Sequence, residues 1–169
     1  MIHQLPMKRF DEQCQVVIMC GISGSGKTHF AQQIEEKGFV RLSTDALIWE
    51  KVGDKLFELS KEDQRKLFNE SRVEVLRQFV GLVKAGQKIV VDATHCRRSA
   101  RDDIRRLCGE MQVEPVFVYC HAPKEELWRR LSQRKGEGPD DLIVTEEELT
   151  DYWKGFERPQ KDETDFIFL

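Results

Sequence analysis

The segment Gly21-Ile22-Ser23-Gly24-Ser25-Gly26-Lys27-Thr28 constrains this chain more than any other. It spells GxxxxGK[ST] directly after an apolar run, Gln15 to Cys20, and at the head of a helical pattern, Lys27 to Lys37. Strand, glycine loop and helix in that order make a phosphate cradle. The glycines let the backbone wrap a phosphate with its N–H groups turned inward, and the helix adds its positive N-terminal end. Gly21, Gly24 and Gly26 shape such a cradle, Lys27 can reach the β- and γ-phosphates, and the Thr28 hydroxyl suits Mg²⁺. Ser23 and Ser25 either add donors or serve as small polar filler.

The remainder of the chain supplies a setting for this loop. Short apolar runs, residues 15–20, 39–42, 88–91, 113–120 and 165–168, alternate with longer helical patterns, which is the punctuation of an α/β fold. The runs are mostly continuous rather than alternating, as in parallel strands covered on both faces. Pro115 removes a ladder donor and delays the start of the fourth run. Helix ends are legible too. Gly38 closes the first helix, Ser60 caps a long one reaching Ala85 before Gly86, Pro123 suits the first turn of another, and Thr145 with Glu148 spells a capping box. Residues 135–144, KGEGPDDLIV, are the most loop-like interior stretch and are expected to be a mobile connection.

Composition narrows the function classes. A chain of 169 residues suits one compact domain. With 27 Lys and Arg against 30 Asp and Glu, the net charge of −3 offers no whole-molecule attraction to nucleic acid or to an anionic membrane, so any polyanion must be held locally. Five scattered cysteines without a CxxC pair suggest neither a disulfide framework nor a structural zinc site, and a reducing cytoplasm is the expected home. No apolar run approaches the length of a membrane span, and the first 14 residues, read as an N-terminal extension, lack a signal-peptide core.

Two acids follow apolar runs at the edge where parallel sheets bind ligands. Asp45, in LSTD, is a candidate general base for an attacking hydroxyl; the alternative is that Asp45 or Thr44 caps the next helix. Asp92, in VVDAT, is placed to orient Mg²⁺ or contact an acceptor together with Thr94; the alternative is a turn. Arginines crowd two segments. Arg97, Arg98, Arg101, Arg105 and Arg106 read first as a solvated helix face. Arg130 and Arg134, four apart on one helix face beside the loop-like stretch, suit a lid closing over a nucleotide. His29, His95 and Cys96 lack the spacing of a ligand set and read as structural, while Trp49, Trp128 and Trp153 read as core or lid packing.

These motifs resemble those of small P-loop kinases of the polynucleotide 5′-hydroxyl kinase and zeta-toxin type, within the nucleoside-monophosphate-kinase-like fold. The resemblance runs from about residue 15 to the end and rests on GISGSGKT, LSTD, VVDAT with its arginines, FVYCHAP, the Arg130–Arg134 spacing and WKGFERP. It implies a three-layer P-loop fold whose five-stranded parallel sheet is ordered 2-3-1-4-5, with a lid at about 134–145. It further implies ATP as donor, Mg²⁺ as cofactor and a hydroxyl acceptor, foremost a nucleic-acid 5′ end. Lys27 and Thr28 match its phosphate and metal positions, Asp45 its base, Arg130 and Arg134 its lid arginines, and Asp92 and Thr94 an acceptor-side motif. One departure stands out: where that group carries an arginine after the base, this chain has Ala46, Leu47, Ile48 and Trp49, leaving Arg97, Arg98 or Arg101 to replace the phosphate grip. A small-molecule or toxin-like kinase, and a nucleotide-dependent switch with slow hydrolysis, are the alternative functions.

Overall fold

Side chains of a strand alternate between sheet faces, and here both faces are apolar. The computed structural model describes Phe10 and residues 14–163 and 165–169. Five strands, β1 (Val16–Cys20), β2 (Val40–Ser43), β3 (Ile89–Asp92), β4 (Pro115–Tyr119) and β5 (Phe166–Phe168), form a parallel sheet in the order β2-β3-β1-β4-β5. This is the expected order. The central strand β1 is buried along its whole length. Val16, Ile18 and Cys20 face one core with Ile89, Val91, Phe117, Tyr119 and Phe166, covered by the helices α3 (Lys61–Lys84) and α4 (Arg98–Glu110). Val17 and Met19 face the other with Val90, Val118 and Ile167, covered by α1 (Lys27–Glu35) through Phe30, Ala31 and Ile34. Continuous apolar spelling is what such a doubly covered sheet requires. Of the N-terminal extension only Phe10 and Cys14 are described, and both pack on the α1 side.

Local chemistry sets the helix starts. Ser60 accepts from the Asp63 amide at the head of α3, and Thr145 and Glu148 complete a capping box at α6 (Glu146–Gly155). Pro123 stands just before α5 (Lys124–Leu131). At α2 (Thr44–Val52) the cap is Ser43, whose hydroxyl accepts from the Ala46 amide at 3.2 Å. Neither Thr44 nor Asp45 serves as the cap.

The stretch expected to be a mobile connection is tied down instead. Asp141 accepts the amides of Lys135 and Glu137, which curls the segment around a 3-10 turn at Pro139–Asp141. Leu142 is buried with Ile48 of α2 and Leu56, while Val144 is buried with Leu127, Leu131 and Leu149 of α5 and α6. The segment thus roots in two small satellite cores. Trp49 packs in one of them, Trp128 and Trp153 in the other.

Among the described residues one ion pair lies wholly inside the protein. Arg101 of α4 donates from Nε and Nη2 to the two carboxylate oxygens of Glu163, each at 2.8 Å, and both side chains are fully buried. Burial works against the charge of Glu163, but hydrogen bonds from Arg101, the Gln160 amide and Arg105 hold its carboxyl down at about 2. A carboxyl depressed from 4.5 stabilises the fold above that value and loses this contribution as pH falls toward 2. Glu163→Gln is expected to cost about 3–5 kcal/mol by stranding a buried guanidinium, and to flatten the acid limb of stability below pH 4.5. Denaturant unfolding at pH 3 and pH 7 measures both.

Candidate active site

The glycine loop is pinched between strand ends. The Gly21 amide donates to the Thr94 carbonyl at 3.0 Å, and its φ is +146°. A Cβ there would stand 2.4 Å from the Cys120 carbonyl oxygen, so the position admits only glycine. Gly24 and Gly26 also have positive φ. Among the described residues, the N–H groups of Gly24, Gly26, Lys27 and Thr28 have no acceptor, which leaves the head of α1 as a nest of free donors. Ser25 Oγ is buried against Gly21 without a hydrogen-bond partner, while Ser23 and Thr28 line the cleft above the loop. Lys27 Nζ donates to the Ile22 carbonyl at 2.9 Å. Burial lowers its pKa, opposed chiefly by the charge of Asp92.

Three carboxylates surround this loop. Freed from capping, Asp45 occupies the first turn of α2, where its side chain lines the cleft and is exposed to solvent. Desolvation by the protein crowded around the cleft raises its carboxyl to about 6; the charge of Asp92 adds to the rise, Lys27 and Arg134 oppose it, and Asp140 adds a further increment. Asp92 ends β3, buried, with Oδ2 accepting from Arg41 Nη2 at 2.7 Å and Nε at 3.1 Å. Its Oδ1 has no hydrogen bond among the described residues. The same Arg41 Nη2 reaches Asp140 Oδ1 at 2.6 Å, and Gln32 Nε2 of α1 holds Asp140 Oδ2 at 3.0 Å.

Sequence reasoning missed Arg41 and Asp140. Arg41 neutralises two carboxylates at once and clips the 139–141 turn to the sheet edge. Its one signal was a charge inside the apolar run FVRL, a spelling that a doubly buried strand does not favour.

The arginine candidates separate sharply. Arg130 donates to the Gly24 carbonyl at 2.9 Å, setting α5 against the phosphate loop. Arg134 donates to the Leu142 carbonyl at 3.0 Å, and both line the cleft. Thr94 and Arg97 line it as well. Arg101 does not fit the substrate-side role expected for it. Its guanidinium is fully buried and spent on Glu163 and the carbonyls of His95 and Glu157, with nothing left for a ligand. Arg98 is bound to Asp102 and Asp162, away from that role as well. His95 Nδ1 donates to the Met19 carbonyl at 2.8 Å, and burial lowers its pKa, which keeps it neutral and structural. Burial pushes the Cys20 and Cys120 thiols up to about 12, which removes them as nucleophiles.

The cradle, the free donors at a helix head and the parallel sheet ordered 2-3-1-4-5 define a P-loop protein with the kinase-like fold. The profile of a family described as an AAA domain matches residues 16–159, and the chain belongs to that family. It is 26% identical over 129 residues to a UPF0200 protein of Thermococcus kodakarensis, covering 70% of this chain and 68% of that one. Its fold is similar to that of a gluconokinase from Sinorhizobium meliloti (TM-score 0.64, 21% identity, 94% of this chain and 83% of that one). It is also similar to a chain of the Pnkp1/Rnl/Hen1 RNA repair complex (TM-score 0.64, 21% identity, 86% of this chain and 44% of that one). Among the described residues no helix is long and apolar enough to cross a membrane.

Two variants test this geometry. Removing the cation of Arg41 leaves Asp92 and Asp140 both uncompensated, so in Arg41→Met the Asp45 titration is expected to rise above about 6, by roughly one pH unit, as like charges disfavour ionisation. Arg41→Lys, which keeps the charge, is expected to stay closer to the wild type; carboxyl-detected NMR of the metal-free protein reads both. Gly21→Ala forces a Cβ onto the Cys120 carbonyl and is expected to cost about 2 kcal/mol or more, with loss of nucleotide binding in calorimetry.

Proposed function

We propose that this protein transfers the γ-phosphoryl group of ATP to an acceptor hydroxyl, with the 5′-hydroxyl of a polynucleotide as the foremost acceptor. The observation that carries this reading is the meeting of Asp45 and Lys27 in one cleft. A carboxyl raised to about 6 faces the same space as the buried lysine of the phosphate loop. A carboxylate with that value is deprotonated at neutral pH yet basic enough to take a hydroxyl proton as the bond to phosphorus forms. Nucleotide hydrolysis or switching alone needs no such acceptor-side base.

The residues fit the donor. The unpaired amides of Gly24, Gly26, Lys27 and Thr28 are the donors that phosphate oxygens require. Thr28 Oγ1 and the unpartnered Oδ1 of Asp92, directly or through water, are the oxygens that would hold Mg²⁺. That ion supplies charge neutralisation at the phosphates. Asp45 accepts the proton of the acceptor hydroxyl as its oxygen bonds to the γ-phosphorus and the bond to the departing ADP oxygen breaks. Lys27, released from the Ile22 carbonyl, stabilises the charge moving onto that leaving oxygen, and Arg130 and Arg134 act from the lid side. The segment 135–144 forms the lid's root and keeps water from the reacting atoms.

Incubation with γ-labelled ATP, Mg²⁺ and a 5′-hydroxyl oligonucleotide is expected to label the oligonucleotide. Lys27→Ala and Asp45→Asn are expected to lose about 10²–10⁴-fold in turnover, with Asp45→Asn still binding ATP. The acid limb of kcat/KM should have its midpoint near 6, activity falling below it as Asp45 takes up its proton. Full transfer by Asp45→Asn overturns the assignment of the base. Label on a sugar or another small molecule instead moves the protein to a metabolite kinase.

A further inference from the structure

Arg41 stands where the sheet has least use for a charge. It is the second residue of β2, its side chain is only 12% exposed, and the strand contacts both α1 and α3. An apolar residue fills such a position at lower cost, since pairing a desolvated guanidinium with carboxylates adds little to stability by itself. What the guanidinium supplies is direction. Nε and Nη2 both donate to Asp92 Oδ2, at 3.1 and 2.7 Å, while Nη2 and Nη1 donate to Asp140 Oδ1 and Oδ2 at 2.6 and 3.5 Å. Gln32 Nε2 of α1 also donates to Asp140 Oδ2, at 3.0 Å. Both oxygens of Asp140 are thus engaged, and a planar fork fixes a carboxylate in orientation as well as in place.

From Asp140 the fastening runs on to Arg134. Asp141 accepts the amides of Lys135 and Glu137 on Oδ2, at 2.9 and 3.2 Å, and its carbonyl accepts the Gly136 amide at 3.2 Å. These are the three amides that follow Arg134 in the chain. The Arg134 guanidinium in turn donates to the carbonyl of Leu142, the residue after Asp141. Its side chain and the backbone on its C-terminal side are therefore both held by residues 141 and 142. Leu142 is also buried with Ile48 and Leu56, but apolar contact is non-directional and leaves the orientation of the segment to the polar bonds. The position matters at the base, because the charge of Arg134 reaches Asp45 and opposes the rise of its carboxyl.

We infer that Arg41 is a positioning residue for phosphoryl transfer: through Asp140 and Asp141 it sets Arg134 at the cleft, with the buried Asp92 at the end of β3 as its fixed point. The inference rests on the phosphotransfer reading above. Arg41 itself does not line the cleft, whereas Arg134 does. The frame to which it refers Arg134 is that of the phosphate loop, because Gln32 belongs to α1 and Asp92 to the strand beside β1. A cation that meets charge developing on a transferred phosphoryl group acts only from the right place, and a misplacement of about 1 Å can lower turnover roughly 100-fold.

Two measurements test this. In the protein without nucleotide or metal, the amides of Lys135, Gly136 and Glu137 are expected to exchange with solvent deuterium roughly 10-fold faster in Asp140→Ala and Arg41→Met than in the wild type, while those of β1 keep their wild-type rates. Asp140 is 34% exposed, so its removal tests the link even if Arg41→Met fails to fold. Turnover is then measured with ATP, Mg²⁺ and the 5′-hydroxyl oligonucleotide, or the small molecule that takes the label in its place, at a pH well above the Asp45 midpoint of about 6. In Asp140→Ala and Arg41→Met kcat is expected to fall roughly 10- to 100-fold, with KM for the acceptor near the wild-type value. Arg41→Lys keeps the charge without the fork and recovers only part of kcat. The deciding comparison adds Asp140→Ala to Arg134→Ala: once the guanidinium is gone, loosening its support changes kcat little, so the two losses do not add. Additive losses, wild-type kcat in Asp140→Ala, or unchanged exchange at 135–137 overturn the inference and leave the phosphotransfer reading intact. No transfer by the wild type to any acceptor overturns that reading and the inference together, whatever the exchange rates show.

Discussion

Gly21 is the point at which three strands and the phosphate loop must agree. Its amide is claimed by Thr94 after β3, and its missing Cβ is the space taken by the carbonyl of Cys120 after β4. β1 can lie between β3 and β4 and still turn sharply into the loop only because no side chain stands there. The sheet order and the cradle are therefore one constraint. The ligand face follows from it, since parallel strands ending together place Ser43 before α2, Asp92 and the glycine loop on a common edge.

Charge at that edge is balanced across elements far apart in the chain. Arg41 lies 51 residues from Asp92 and 99 from Asp140, and one guanidinium serves both. The consequence reaches Asp45, whose proton affinity is raised by burial and by those same two carboxylates. The segment that walls the cleft and the acid that lines it at the head of α2 are thus coupled through one arginine. Asp92 spends only Oδ2 on Arg41, and its Oδ1 has no hydrogen bond among the described residues.

Five arginines within ten residues, 97 to 106, have different fates. Arg98, Arg101 and Arg105 fall on the side of α4 that meets the segment before β5, and acids at 162, 163 and 165 take them up. Arg97, at the helix head, lies on the cleft side. Nothing in their spelling separates a fully buried arginine from an unpaired one, because helical spacing leaves the facing element unspecified. The reading of this run as a solvated face fails for Arg101, where a buried bidentate carboxylate offsets the cost of desolvation.

The amino-acid sequence by itself determined the phosphate loop, the five strands, the capped helix starts and the presence of an acid after the second and third strands. Each is a local matter of backbone freedom, apolar continuity or side-chain-to-backbone hydrogen bonding within a few residues. The 2-3-1-4-5 order came from the resemblance those motifs carry rather than from local spelling. Only the tertiary structure decided that Ser43 rather than Asp45 caps α2, that residues 135–144 are anchored at Leu142 and Val144, that Arg101 is internal, and that Arg41 joins Asp92 to Asp140. The physical reason is reach. A cap or a turn is chosen by neighbours in the chain, whereas a charge is paired or left free by whatever the packed sheet and helices bring within 3 Å of it, and that distance is not written in sequence order.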